Sequence, residues 1–407
     1  MAGGTAFRAL TRATANAVRF AGPGDDASLR SLLRRSVIPG AVRVALTREP
    51  SYAAGDGVAA GEDFTVVVGA DGEVSAMGRC SVRALYRNGV VRRVGYLGEL
   101  RFDPARPTSV RGMRDGYAML ADAATRVGVE GCFTSIAEDN VRARRVLENG
   151  GRLGLPAYRP ICRLVTLLAP VAPVAPVAPV APVAHAAVRS DALDAAHAVD
   201  AVDAVDAEDA EDAERGGAAT SGELTGFLAR HATEAHLTLP WDGAFWAALG
   251  RDGISLGDFV VCRRDGRIVA AAAVWDQRPF RQTVIDGYAG MLAVARPLLN
   301  VALAMRALPT LPAPGSVLAH AAVLGASVDD ERDWPVLWPA LQARAAARGV
   351  AWLTLARDRR DPSLALLRRL LRPREYHTTL YDVVWHDRPA RPDQWDARLF
   401  RPEVALL

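Results

Sequence analysis

Two stretches of the sequence alternate apolar runs with a central polar pair. They are FTVVVGADGEVSAMGRC (residues 64–80) and FVVCRRDGRIVAAAAVW (residues 259–275), broken by Asp71-Gly72 and Asp265-Gly266. An Asp-Gly pair between two apolar strands is a strong short-range signal for a β-hairpin. We therefore predict one hairpin in each half of the chain.

A second pattern also occurs twice. CFTSIAEDNVRARRVLENGG (residues 132–151) and WLTLARDRRDPSLALLRRLL (residues 352–371) each read as a strand, a polar turn and an amphipathic helix. Asp139 or Asn140 can cap the first helix, and Asp361 ahead of Pro362 can cap the second. A duplicated α/β unit explains both repeats.

The first unit can be followed from end to end. Residues 17–36 predict a strand and then a helix with Leu29, Leu32 and Leu33 on one face. The hairpin follows, and residues 91–104 form a long strand. After a further helix, strand and helix, the closing strand is RPICRLVTLL (residues 159–168). The predicted order is β-α-hairpin-β-α-β-α-β.

The two units are separated by low-complexity sequence. In residues 164–184 a proline recurs at every third position, which excludes a transmembrane helix and favours polyproline II. An acidic stretch follows, with ten acidic residues and two arginines between Arg189 and Arg215. We predict an N-terminal domain over residues 1–168, a disordered linker over 169–218 and a C-terminal domain over 219–407 with a core to about 388.

The amino-acid composition limits which side chains can act in catalysis. The chain contains no lysine, and its seven histidines all lie beyond residue 184, so the first unit must use carboxylates, tyrosines, hydroxyls, thiols or backbone groups. The four cysteines form no C-x-x-C pair, which fits a reducing, cytoplasmic setting and argues against a zinc site. The arginines are spread out, and no nucleic-acid-binding pattern is evident. We expect no metal, no nucleic acid and no membrane, and the oligomeric state stays open.

The order of elements and three short motifs resemble the GCN5-related N-acetyltransferases (GNAT). Leu100-Arg101-Phe102 matches the end of the family's central strand, and Arg111-Gly112-Met113-Arg114-Asp115-Gly116 matches its Q/R-x-x-G-x-G/A loop. Asn140 and Ala143 match its N-x-x-A motif. Arg114 replaces a usual glycine, and Leu147 stands where the family has a tyrosine.

The resemblance implies an α/β (α+β) fold with two GNAT-like domains, each a mixed, mostly antiparallel sheet flanked by helices. It also implies acetyl-coenzyme A (acetyl-CoA) as co-substrate. Backbone N–H groups from Arg111 to Gly116 would hold its diphosphate at the positive end of a helix. Those of the Leu100–Phe102 strand would polarise the thioester, and Arg144 would meet the 3′-phosphate.

Acyl transfer to an amine needs a base for the amine and an acid for the leaving thiolate. Glu99, beside the strand end, is the expected base, with Asp103 as second candidate. Tyr158 is the expected acid, because Leu147 cannot donate a proton. We expect direct attack by the amine without a covalent enzyme intermediate.

The second unit has acidic residues, Asp329, Asp330 and Glu331, where a phosphate would bind, and we read it as degenerate. The apolar segment 288–308, interrupted by Pro297, is expected to pack between the domains. Two other functions stay open, a coenzyme-binding sensor without turnover and a scaffold. The sequence does not identify the acceptor amine.

Overall fold

The computed structural model describes residues 17–70, 73–106, 108–171, 221–385 and 394–407. The predicted linker and the Asp71-Gly72 turn therefore lie outside the described residues. The three domain limits given above remain predictions.

The first half of the described chain contains seven strands and three helices. The strands are β1 (Ala17–Phe20), β2 (Val42–Thr47), β3 (Glu62–Ala70), β4 (Glu73–Arg87), β5 (Val90–Phe102), β6 (Gly131–Ala137) and β7 (Ala157–Pro170). The helices are α1 (Asp26–Arg35), α2 (Val110–Arg126) and α3 (Val141–Glu148). Apart from the pairing strand β2, this order matches the predicted first unit.

The second half contains eight strands and five helices. The strands are β8 (Ala235–His236), β9 (Phe259–Arg264), β10 (Arg267–Trp275), β11 (Gln282–Tyr288), β12 (His320–Val328), β13 (Trp352–Asp358), β14 (Arg374–Val384) and β15 (Leu399–Phe400). The helices are α4 (Ser221–Ala232), α5 (Gly243–Arg251), α6 (Met291–Met305), α7 (Trp334–Ala347) and α8 (Leu364–Leu371).

The Asp-Gly pattern predicts local structure well. Strands β9 and β10 pair antiparallel, with Arg264 opposite Arg267. Both turn residues have a positive φ, 50° at Asp265 and 72° at Gly266, as a type I′ turn requires. Strands β3 and β4 also pair antiparallel, as predicted for the first hairpin.

The two halves share one mixed, mostly antiparallel sheet. Its eleven strands follow the order β1-β3-β4-β5-β6-β14-β7-β13-β12-β10-β9. The last long strand of the second half, β14, lies between β6 and β7 of the first. In return, β7 pairs with β13 of the second half over seven residue pairs. The halves have therefore exchanged their closing strands, and each half's part of the shared sheet is completed by a strand of the other half.

Helices cover the sheet and bury its apolar side chains. Helices α7 and α8 bury residues such as Trp334, Trp338 and Leu367 against the second half. Helix α2 contributes Tyr117 and Leu120 to a cluster in the first half, which also contains Tyr381 from β14. The exchanged strand thus takes part in the core beneath α2 and α3.

Helix α6 differs from its expected environment. It continues through Pro297, and none of its residues is buried. The expectation that segment 288–308 packs between the domains is wrong, because the apolar side chains of α6 face outward. Within the described residues, no helix has the length and apolar content needed to span a membrane.

Candidate functional site

Strands β5 and β6 separate in the middle of the sheet. They pair parallel through only three residue pairs, Val94 with Gly131, Gly95 with Cys132 and Tyr96 with Phe133. Both strands then continue, β5 to Phe102 and β6 to Ala137, but no further residues of these two strands pair with each other. Two parallel strands that stop pairing leave backbone groups and space between them, which a ligand can use.

A bulge in β5 lies just beyond this point. The register between β4 and β5 shifts between Met77 and Arg79, where β5 carries one extra residue. Glu99 lies in this bulge with a φ of 51°, which is uncommon for a residue other than glycine. A bulge re-aims side chains and interrupts the ladder, and such backbone conformations cluster at functional sites.

The Glu99 carboxylate is held by two side chains of the first half. Arg48 Nε donates to its Oε1 at 2.8 Å, and the Tyr52 hydroxyl donates to its Oε2 at 2.7 Å. Burial alone raises the pKa of Glu99, but Arg48, Arg79 and the Tyr52 hydrogen bond together lower it to about 2. Glu99 is therefore an ionised carboxylate in an ion-paired network, and a weak base.

Asp103, the second candidate base, is hydrogen-bonded within the turn that precedes α2. Its Oδ1 accepts the Ala105 N–H at 3.0 Å, and its Oδ2 accepts from Arg35 Nη2 at 3.1 Å. An aspartate that accepts an amide two residues on forms an Asx turn. This carboxylate organises the turn that leads into α2.

The loop matched to the coenzyme motif forms the first turns of α2. Ser109 is the N-cap, and its hydroxyl accepts the Gly112 N–H at 3.1 Å. The Met113 N–H donates to the Ser109 carbonyl. A helix N-terminus leaves its first N–H groups without intrahelical partners, so those of Val110 and Arg111 are candidates for binding an anion.

The motif side chains around these amides divide into outward-facing and packed residues. The Arg111 side chain is 87% exposed and pairs loosely with Asp115. Gly112 and Gly116 face β3, because an added Cβ would lie 3.5 Å from Val68 and 3.7 Å from Val66, respectively. The Arg114 side chain lies over Gly154, the residue that follows the turn after α3. Arg114 thus leaves the helix end open.

The second matched motif begins helix α3. The Asn140 side chain caps the helix by accepting the Ala143 N–H at 3.1 Å. Arg144 contacts Glu148 and the Tyr381 hydroxyl, each at 3.3 Å. Tyr381 also donates to Glu148 at 2.6 Å. Sequence reasoning did not identify Tyr381, which is 237 positions from Arg144 and reaches it only through the exchanged strand β14.

An apolar cluster joins several of the predicted residues. Leu100, Met113, Ala143 and Tyr158 all pack in the cluster that contains buried Leu147. The Tyr158 hydroxyl lies 2.6 Å from that of Tyr117. Burial, followed by the neighbouring Tyr117, raises the pKa of Tyr158 well above its ordinary value, so the hydroxyl keeps its proton. Glu99 is held outside this cluster, by Arg48 and Tyr52.

The remaining strand-end residues lie at the edge of the site. Arg101 donates to the Leu100 carbonyl at 3.1 Å, and Phe102 is 38% exposed. Tyr96 is a further residue that sequence reasoning missed. It is the last residue of β5 that pairs with β6, and its hydroxyl is 2.8 Å from that of Ser135 on β6.

The second half has a similar pair of diverging parallel strands, but carboxylate side chains lie beside them. Strands β12 and β13 also pair parallel through three residue pairs, and β12 has a bulge at Gly325, where φ is 64°. The Gly325 N–H, however, donates to the Glu403 carboxylate at 3.0 Å. Buried Asp333 lies at the start of α7 and pairs with Arg264. Carboxylates of the chain itself therefore lie at the strand bulge and at the helix start that correspond to those of the first half.

Comparison with known proteins identifies the fold. No family model matches the sequence, and no curated protein matches it. One similar solved structure is Saccharomyces cerevisiae N-myristoyltransferase with bound myristoyl-CoA, with a TM-score of 0.51 and 10% identity, covering 94% of this chain and 87% of that one.

A second similar structure is a tandem GNAT protein from the clavulanic acid biosynthesis pathway, solved without AcCoA. Its TM-score is 0.50 and its identity 11%, with 92% of this chain and 100% of that one covered. The fold is therefore that of the GCN5-related N-acetyltransferases. A tandem GNAT protein is among the similar structures, while the reading of the second unit as degenerate remains a prediction.

Proposed function

We propose that this protein is an N-acetyltransferase whose first half moves an acetyl group from acetyl-CoA to an amine. The observation that carries the proposal is the contrast between the halves. In the first half the strands diverge beside a bulge and α2 begins with amides that lack intrahelical partners, whereas in the second half Glu403 and Asp333 lie at the corresponding bulge and helix start. The similar structures are an enzyme with an acyl-CoA bound and a tandem GNAT protein, which supports a CoA thioester as co-substrate.

The coenzyme diphosphate would lie at the start of α2, on the Val110 and Arg111 amides and near the Arg111 guanidinium. A helix N-terminus favours anions, and a guanidinium adds charge-assisted hydrogen bonds. Backbone groups of Leu100 to Phe102, next to the bulge, would polarise the thioester carbonyl. Arg144 would need to leave Glu148 and Tyr381 to reach the 3′-phosphate.

The transfer itself requires few groups. The amine nitrogen forms a bond to the thioester carbon, the C–S bond breaks, and the amine loses one proton while the thiolate gains one. A carboxylate with a pKa of about 2 is a weak base, so we propose that Glu99 acts through a water molecule and stabilises the ammonium as its proton leaves. Tyr158, held protonated near Leu147, is the proposed acid.

Leu147 favours one alternative, a protein that binds acetyl-CoA without turnover. The position that carries a tyrosine in the family is occupied here by a buried aliphatic side chain. In that case the Tyr158 hydroxyl serves only Tyr117, and coenzyme binding would be the function. Release of free thiol in the presence of an amine panel distinguishes turnover from binding.

The experiment that tests the site is calorimetric titration of acetyl-CoA into the wild type, Arg111→Glu and Arg126→Glu. Both arginines lie on α2, but Arg126 is at the C-terminal end, away from the proposed diphosphate. We expect micromolar binding by the wild type and Arg126→Glu, and at least a roughly tenfold loss in Arg111→Glu. Equal affinity of all three proteins would place the coenzyme elsewhere, and absence of binding by folded wild type would refute the proposed function.

A further inference from the structure

Helix α6 exposes its apolar side chains to solvent. The exposed fractions are 82% for Met291, 78% for Val294, 78% for Leu298, 59% for Val301 and 82% for Met305. A contiguous apolar surface of this kind is unusual on a protein that has no partner for it. We call these five residues the α6 seam.

The orientation of α6 is fixed by its polar residues, which face the protein. Arg296 donates to the carbonyls of Leu311 and Pro312, and its guanidinium lies 5.8 Å from the Tyr288 ring centre. The Asn300 side chain accepts the Leu311 N–H at 2.7 Å and donates to the Leu311 carbonyl at 3.0 Å. These contacts hold the seam outward, since rotating the helix would break them.

The spacing of the seam is that of a helix-pairing surface. Its members follow one another at intervals of three, four, three and four residues, which is the a/d pattern of two consecutive heptads. The flanking e and g positions are Ala295, Pro297, Ala302 and Ala304. Small side chains beside an apolar seam let a second helix approach closely.

The charges of α6 select among possible partners. The helix contains no acidic residue, and Arg296, its single basic residue, is turned toward Leu311 and Pro312. A helix that lies on a membrane surface normally carries Lys or Arg on its polar face, and a charged partner would need complementary charges here. A second copy of the uncharged seam needs neither basic residues nor complementary charges, because two copies bury apolar surface without repulsion.

We propose that α6 is a self-association helix, whose seam packs against the same seam of a second copy of this chain about a two-fold axis. An isologous contact of this kind uses one patch on both subunits and is closed. A helix of this length spans only about 22 Å, so the contact is small and the dimer should depend on protein concentration. The proposal does not depend on the proposed acetyl transfer.

Sedimentation equilibrium of the full chain tests the proposal. The wild type should show a monomer–dimer equilibrium, and Leu298→Glu should weaken the dimer at least about tenfold, since it places a charge in the centre of the seam. Val90→Glu is the matched control, because Val90 is 51% exposed and is the first residue of β5, next to the turn from β4. Circular dichroism should show the same fold in all three proteins.

Cross-linking provides the second measurement. Cys80, Cys132 and Cys162 are buried and Cys262 is partly exposed, so the test uses a Cys262→Ser background. There, a thiol introduced by Leu298→Cys at mid-seam should form the main intermolecular disulfide under mild oxidation. Val90→Cys should cross-link much less. A wild type that stays monomeric at high concentration, or a dimer that Leu298→Glu leaves intact, would overturn the proposal. Binding of the wild type, but not of Leu298→Glu, to phosphatidylserine vesicles without dimerisation would assign the seam to a membrane surface instead.

Discussion

The carboxylate of Glu99 and the guanidinium of Arg48 form an ion pair at the bulge of β5. Their side chains are only 16% and 10% exposed, and 2.8 Å separates Arg48 Nε from Glu99 Oε1. Removing one member of such a pair leaves a buried charge without a partner, which costs more than the pair itself contributes. The pair therefore couples the stability of the first half to the proposed catalytic carboxylate.

Replacing Arg48 with methionine should reduce the free energy of unfolding by about 3 kcal/mol at pH 7, because Glu99 then stays charged beside fewer cations. The double variant Arg48→Met/Glu99→Gln should recover a large part of this loss, since it removes the unpaired charge. Urea denaturation of the two single variants and the double variant measures the coupling. Strictly additive effects would show that the pair is energetically unimportant.

The same pair predicts a dependence on pH. The pKa of Glu99 is lowered from 4.5 to about 2 in the folded protein, so its stabilisation is present above about pH 4.5 and is lost as the pH falls toward 2. Glu99→Gln should therefore lose less stability than the wild type between pH 5 and pH 2. A parallel pH profile of the two proteins would contradict this assignment.

Tyr158 can be separated from its partner Tyr117 by two conservative substitutions. If Tyr158 protonates the thiolate, Tyr158→Phe should lower kcat by about 10–100-fold with little change in KM. Tyr117→Phe removes the same hydrogen bond but not the proposed acid, and it should cost mainly stability, by about 1 kcal/mol. Steady-state thiol release with an accepted amine measures both variants. Equal losses of kcat would indicate that the bond, and not the acid, matters.

Glu403 makes the stability of the protein depend on pH in the direction opposite to that of Glu99. Burial raises the pKa of Glu403 from 4.5 to about 7, although the Gly325 N–H and Arg357 oppose this. The folded protein thus binds more protons than the unfolded chain between about pH 4.5 and pH 7. Stability should therefore fall as the pH rises through this range, by about 3 kcal/mol from this residue alone.

Glu403→Gln isolates that contribution. The glutamine carbonyl can still accept the Gly325 N–H, but it carries no charge at any pH. We expect urea denaturation to give similar stabilities for the variant and the wild type at pH 5, and a more stable variant at pH 8. A wild type that is the more stable protein at pH 8 would show that the ionised carboxylate is stabilising.

Turns and helix caps could be predicted from the sequence where a single residue type determines the local backbone conformation. The Asp265-Gly266 turn needs two positive φ values, and Asn140 caps α3 because its side chain can accept an amide three residues on. Helix α6 was misread for a related reason. Apolar residues at helical spacing indicate burial, but the pattern does not tell which face of the helix meets its own protein.

Contacts between distant segments could not be read in this way. The closing strand RPICRLVTLL would be mostly apolar in any central position of a sheet. Its composition therefore does not show that it pairs with β13 and β14. Tyr381 reaches α3 only because of that pairing. The motif residues on α2 and α3 were found because they lie close together in the sequence, whereas their roles in binding and catalysis remain predictions.

The exchanged closing strands have a consequence for folding. Strand β6 of the first half pairs with β14 of the second half, and β13 of the second half pairs with β7 of the first half. A fragment limited to one half would therefore leave an unsatisfied ladder of backbone N–H and C=O groups at an open edge, which is a template for aggregation. We therefore expect each half to need the other in order to fold, so that the second half contributes to the structure of the first.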